Sequence, residues 1–175
     1  MSSEMHFKTV NPGELKDNFF ERIGTDWMLV CAGTPDNCNA MTASWGQVGV
    51  LWNKPVATCF VRPQRHTYGF VEAQARYSLS FFAPGEKRQE LGLMGSKSGR
   101  DGDKIAEAGL TVAGFGPENV PGFESAALVL VCRKLYRQDM TGDSFVEPGL
   151  VQTHYPKGDF HRVYVGEIEA VFTRE

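Results

Sequence analysis

The chain has 175 residues, a formal net charge of −3, and hydrophobic and charged shares of 42% and 22%. That balance describes a globular chain long enough for one sizeable core; it argues against disorder and against a general polyanion-binding surface. No run approaches the roughly 20 apolar residues of a membrane helix. The opening MSSEMHFKTV lacks the apolar centre of a secretion signal, so a cytoplasmic location is expected.

In chain order, strand signals dominate. The stretches 27–32, 40–52, 55–61, 77–83, 126–136 and 161–172 are rich in Val, aromatic and Ser/Thr residues, and Gly, Pro, Asn and Asp clusters bound most of them. Three helices are predicted between them. One covers 68–76 behind Thr67 as N-cap; the next covers 86–94, with Leu91 and Met94 three apart; the last covers 103–109 and closes on Gly109. Gly69 inside the first costs about 1 kcal/mol relative to Ala. The helices do not alternate with strands as a parallel α/β sheet requires. The reading is one mainly β domain over 1–175, an antiparallel barrel with short helices in its connections.

Cys31, Cys38, Cys59 and Cys132 form no CxxC pair, and all but Cys38 lie in apolar runs. Buried free thiols are expected, without a disulfide framework or a zinc site.

Three segments carry candidate chemistry. In 36–46, small and hydroxyl residues surround one indole: Asn39, Thr42 and Ser44 offer hydrogen bonds, and Trp45 offers a face for a planar ring. The alternative is a strand entered through a turn, with Trp45 in the core. In 60–68, Arg62 and Arg65 bracket Pro63 and Gln64 between a strand end and a helix start. Guanidinium forks beside the unpaired N–H groups of a helix N-terminus suit a phosphate; the alternative is two solvated arginines on a turn. In 95–104, Lys97 between Ser96 and Ser98 completes an anion site, although the spacing is not that of a P-loop. From Arg100 onward, a polar link capped by Asp103 is the better account. Gly114-Phe115-Gly116 has neither the third glycine nor the βαβ context of a dinucleotide site, and GxSxG and HExxH are absent.

Taken together, NAMTASWGQVGVLWNKPVATCFVRPQRHTYGF (39–70), YSLSFFA, GSKSGRDGDKIAEAGL (95–110), LVCRKLY and YPKGDFHRVYVGEIE (155–169) resemble the flavin reductase-like, FMN-binding split-barrel family, its flavoredoxin-like branch in particular. The resemblance runs in order through nearly the whole chain. It implies a six-stranded antiparallel split β-barrel that forms a homodimer, with FMN near the subunit interface. Asn39, Met41, Thr42, Ala43, Ser44 and Trp45 then line the isoalloxazine. Arg62, Pro63, Arg65 and Thr67 hold the phosphate or ribityl chain, and Ser96, Lys97 and Ser98 close over the phosphate. His66 and Met94 depart from the Tyr and Cys expected of close relatives.

The chemistry so implied belongs to the flavin. NADH or NADPH passes hydride to flavin N5, electrons move on to an acceptor, and backbone N–H groups of 42–46 stabilise the reduced ring. No catalytic side chain is assigned, and His161 is expected to pack inside. Two other readings stand beside this one: an electron-transfer flavoprotein reduced by a partner protein, and a binding domain for another ligand such as haem. The cationic segments favour a ligand that bears phosphate.

Overall fold

The computed structural model describes residues 6–175. Its strands are β1 (Phe7–Val10), β2 (Met28–Thr34), β3 (Asn37–Ala43), β4 (Gly46–Leu51), β5 (Lys54–Val61), β6 (Arg76–Phe81), β7 (Val112–Phe115), β8 (Val120–Phe123), β9 (Leu128–Asp139) and β10 (Arg162–Arg174). Its helices are α1 (Phe19–Gly24), α2 (His66–Ala73), α3 (Arg88–Ser96), α4 (Lys104–Glu107) and α5 (Pro148–His154).

Seven strands form one antiparallel path in the order β3-β2-β6-β9-β10-β5-β4, and β1 pairs with the far half of β10. The two edges of that path, β3 and β4, are consecutive in sequence and separated only by Ser44 and Trp45. A flat path of seven strands is roughly 29 Å wide at ~4.8 Å per step, yet three peptide steps span at most about 11 Å. The sheet therefore curls until its edges meet, and the open barrel has its seam at Ser44–Trp45. This is the mainly β split-barrel class expected, although the main sheet holds eight strands where six were anticipated.

Alternation of side chains gives the sheet two apolar faces. Met28, Val30, Met41, Cys59, Leu79, Leu130 and Tyr164 belong to one buried cluster, together with Val71 of α2. Leu29, Cys31, Val129 and Val131 face the other way and pack with Leu91 and Met94 of α3 and with the small β7–β8 sheet. β2 is consequently buried on both faces along Met28–Ala32. All four cysteines are free; Cys31, Cys59 and Cys132 are buried and Cys38 half-buried.

Several expected boundaries move. The run 40–52 is not one strand, because the seam interrupts it after Ala43. Helix 68–76 begins earlier, at His66, and its N-cap is Arg65, which makes no side-chain cap bond. Thr67 is no cap: it is 1% exposed, and its hydroxyl accepts from the Asn39 amide at 2.8 Å. Asp103 caps α4 by accepting from the Ala106 N–H at 3.0 Å, and Gly109 follows with φ +62°, a conformation glycine adopts without strain. Elements β1, β7, β8, α1 and α5 went unanticipated; each is seven residues or shorter.

Candidate functional site

Three adjoining cavities lead from the seam toward the start of α2. A mainly apolar cavity of about 770 Å³ lies between α1 and the start of β4, lined by Phe19, Ile23, Ser44, Trp45, Val48 and Phe60 among others. A second, of about 210 Å³, shares Ser44, Trp45 and Phe60 with the first and adds Met41, Thr42, Ala43, Arg62, Arg65 and His161. A third, of about 90 Å³, shares Arg65 with the second and is otherwise lined by Gln64, His66, Lys104 and the 96–99 turn. The three therefore run in series, from an apolar hollow through a mixed neck to a small cationic pocket.

Local structure explains each contribution. Trp45 sits between two strands rather than within one, so its indole is 42% exposed and not part of the core. The imidazoles of His154 and His161 approach it, with ring centroids at 5.2 and 5.3 Å. Met41 and Ala43 line the neck from β3, while the Thr42 hydroxyl donates to Leu91 O at 2.6 Å and ties β3 to α3. At the end of β5 the chain turns into α2, and the turn carries both arginines.

Those arginines have different surroundings. Arg62 donates to the Asp159 carboxylate and to His154 O (3.0 Å), and its guanidinium lies 5.2 Å from the Tyr155 ring centre. It thus pins the loop between α5 and β10. Arg65 donates from Nη1 to Gly95 O at 2.8 Å, while its Nη2 is buried with no partner. Burial holds its guanidinium below the ordinary value. A buried, unanswered charged donor costs on the order of 1–3 kcal/mol or more, and an anion at that spot removes the cost.

Across the small pocket, the Ser96 hydroxyl returns to Gly92 O at 2.9 Å, Lys97 pairs with Glu107, and the Ser98 hydroxyl accepts from the Arg100 N–H at 3.2 Å. His161 is 8% exposed, and its Nδ1 lies 2.7 Å from the Tyr155 hydroxyl. Burial first, and the Arg62 charge second, push the imidazole down to about 4, so it is neutral at pH 7.

Ten of the thirteen expected residues therefore fall on the neck or the small pocket: Met41, Thr42, Ala43, Ser44, Trp45, Arg62, Arg65, Ser96, Lys97 and Ser98. Asn39 is buried as a brace on Thr67, and Pro63 lines a separate groove beside α2. Sequence reasoning missed Phe60, the α1 residues Phe19 and Ile23, the Tyr155–His161 pair and Lys104. The Asn18 cap of α1 was a usable signal; its side chain accepts from the Phe20 N–H at 3.2 Å. No cluster of three or more His, Cys, Asp or Glu side chains able to hold a metal ion occurs among the described residues.

Residues 20–175 match the family model described as flavin reductase like domain, and the chain belongs to that family. Three solved structures share the fold. An FMN-binding domain of a flavin reductases-like enzyme from Shewanella baltica is 16% identical, with a TM-score of 0.70 over 97% of this chain and 78% of its own. A flavoredoxin from Methanosarcina acetivorans is 21% identical, TM-score 0.64, over 86% and 69%. An FMN-binding protein from Thermus thermophilus, solved with bound p-hydroxybenzaldehyde, is 26% identical, TM-score 0.62, over 83% and 69%. No curated protein matches the chain. No helix among the described residues is long and apolar enough to cross a membrane.

Proposed function

We propose that the chain is an FMN-dependent oxidoreductase that takes electrons from NADH or NADPH and passes them to an acceptor, working as a cytoplasmic homodimer of single-domain subunits. The observation that carries this reading is the series of cavities ending at Arg65. A flavin mononucleotide is a flat, partly apolar ring joined by a polyol to a phosphate, and the cavities present an apolar hollow, a mixed neck and a cationic pocket in that order. The unpartnered Nη2 of Arg65 supports an anion at the far end. The family match, and the FMN-binding proteins that share the fold, support the same ligand.

In this reading Trp45 and Phe60 flank the ring, Met41, Thr42, Ala43 and Ser44 line the neck, and Arg65 with Ser96, Lys97 and Ser98 holds the phosphate. Arg62 acts one step back, fixing the loop that carries Tyr155. Bound FMN supplies hydride acceptance and onward electron transfer. The chain would supply fixed donors: backbone N–H groups of 42–46 would stabilise the negative charge that develops on reduction, and a neutral imidazole at 161 adds no competing charge there. Haem carries no phosphate, so the small cationic pocket at Arg65 supports FMN over the haem reading.

The test is a visible spectrum of the purified protein, flavin identification after heat release, and anaerobic addition of NADH or NADPH. About one FMN per subunit, bleached promptly by either nicotinamide, is the expected result. Bound FMN that neither reduces moves the assignment to an electron carrier served by a partner protein, the flavoredoxin-like alternative. A colourless protein that fails to bind added FMN removes the cofactor reading.

A further inference from the structure

Cys31 and Cys38 stand diagonally across the β2–β3 ladder, where Cys31 pairs with Ala40 and Gly33 with Cys38. Residues two apart on a strand share a face, so both thiols lie on the same side of the sheet. Each is matched by a small residue. A Cβ on Gly33, whose φ is +123°, would stand 2.7 Å from the Cys38 Cα, so no side chain fits there. Gly33 and Ala40 leave the diagonal between the sulfurs clear, and the two thiols hydrogen-bond, Cys31 donating.

Their access differs. Cys31 is fully buried in the apolar cluster that includes α3, while Cys38 packs against that cluster and is half-buried. Cys38 also lines a cavity of about 380 Å³. The titratable groups around this cavity are Asp36 in the β2–β3 turn, His66 of α2, and Asp103 and Lys104 at the start of α4. The bond from Cys31 holds the Cys38 thiol below its ordinary value, against burial and the Asp103 charge. The same bond, with burial, pushes Cys31 well up. The thiolate is the reactive form, so Cys38 is the reachable nucleophile and Cys31 the protonated thiol behind it. In such a pair the second thiol captures a sulfenic acid formed on the first. The other cysteines have no such setting: Cys59 and Cys132 are buried in the opposite apolar cluster, and burial raises both.

We propose that Cys38 and Cys31 form a hydroperoxide-reactive dithiol, with Cys38 as the attacking thiol and Cys31 as the resolving one. The Cys38 thiolate attacks one peroxide oxygen; the O–O bond breaks, hydroxide leaves, and Cys38 becomes a sulfenic acid. The Cys31 sulfur then attacks the Cys38 sulfur, the S–O bond breaks, and the hydroxyl departs with the Cys31 proton as water. Two thiols and one hydrogen peroxide yield one disulfide and two waters. The new bond ties β2 to β3 beside Asn39, the brace of Thr67. This chemistry needs no bound flavin.

The experiment treats the reduced protein with hydrogen peroxide, blocks the remaining thiols with iodoacetamide, and maps the peptides after cleavage at Asp36, which lies between the two cysteines. Wild type is expected to lose two of its four thiols and the mass of two hydrogens, with Cys31 joined to Cys38. That oxidation is expected to run at least about tenfold faster than any loss of Cys59 or Cys132. Cys31→Ala is expected to stop at a Cys38 sulfenic acid, trapped by dimedone, and Cys38→Ala to keep its other thiols reduced. Should either variant fail to fold, the wild-type map decides alone. A wild type whose thiols all survive peroxide, or whose Cys38 is over-oxidised without a link to Cys31, overturns the proposal. So does a disulfide between subunits, or one that involves Cys59 or Cys132.

Discussion

His161 shows how much one side chain's setting depends on its neighbours. Unfolded, it takes up a proton near pH ~6.5; folded, it does so only at about 4. Between those values the unfolded chain binds a proton that the native chain refuses, so this contribution to stability is complete above ~6.5 and declines as pH falls toward 4. The decline between pH 7 and 5.5 is about 1 kcal/mol, and urea unfolding of wild type and His161→Gln at those two pH values checks it. The variant is expected to show a smaller decline, and an equal one removes the argument. The same residue answers the sequence-level expectation that it packs inside. It does, against Tyr155, but it also lines the neck, and the distance of 2.7 Å to that hydroxyl had no signature in the local pattern FHRVYVG.

At the scale of elements, α2 is the informative case. Its presence was expected behind Thr67 as a cap, but its start was misplaced, because Thr67 looks like a cap residue and is instead the buried partner of Asn39, 28 positions earlier. A capping preference is local and worth about 1 kcal/mol; burial against another strand outweighs it. Gly69 in the same helix is exposed, has no atom within 4 Å of where a Cβ would stand, and keeps a helical φ. Gly69→Ala is therefore expected to stabilise the protein by about 0.5–1 kcal/mol, visible as a raised denaturant midpoint with unchanged slope. The strand at 40–52 was misjudged for a related reason. Ser44 and Trp45 have ordinary strand character, and only the closing of the barrel forces a break there.

At the scale of the whole molecule, the unpaired edge near the β4–β5 turn stands out. Val50, Leu51 and Trp52 are exposed, and the Trp52 ring centre lies 6.2 Å from that of the exposed Tyr136. Trp52 and Asn53 both have positive φ, +54° and +57°, as a tight two-residue hairpin demands. For Trp this conformation is strained, by on the order of 1 kcal/mol or more. A strained, solvent-facing indole beside other exposed apolar side chains fits a surface covered by a second copy, in keeping with the proposed homodimer. Val50→Glu combined with Trp52→Gly is expected to convert a dimer to a folded monomer in sedimentation velocity. Glycine suits the turn, so the monomer's stability should not suffer. Dimers that persist in this variant, or a monomeric wild type, count against the assignment of that surface.

By itself, the sequence determined the properties that are local or cumulative. Runs rich in Val, aromatic and Ser/Thr residues, bounded by turn residues, specified β2, β5, β6, β9 and β10 to within two or three residues, since such side chains suit extended backbone wherever it lies. Hydroxyl-rich and cationic segments pointed to eight residues of the cavities, because phosphate and flat rings require those chemistries, and the family resemblance added Met41 and Ala43. Tertiary structure alone decided how they are used. It chose which arginine is free and which is tied to Asp159, brought His161 and Phe60 to the neck, and sank Lys104 to 3% exposure. The pairing of Arg62 with Asp159 and the meeting of His161 with Phe60 depend on contacts between residues distant in sequence. They arise because a sheet whose two edges are two residues apart must close on itself, and that closure sets which side chains meet.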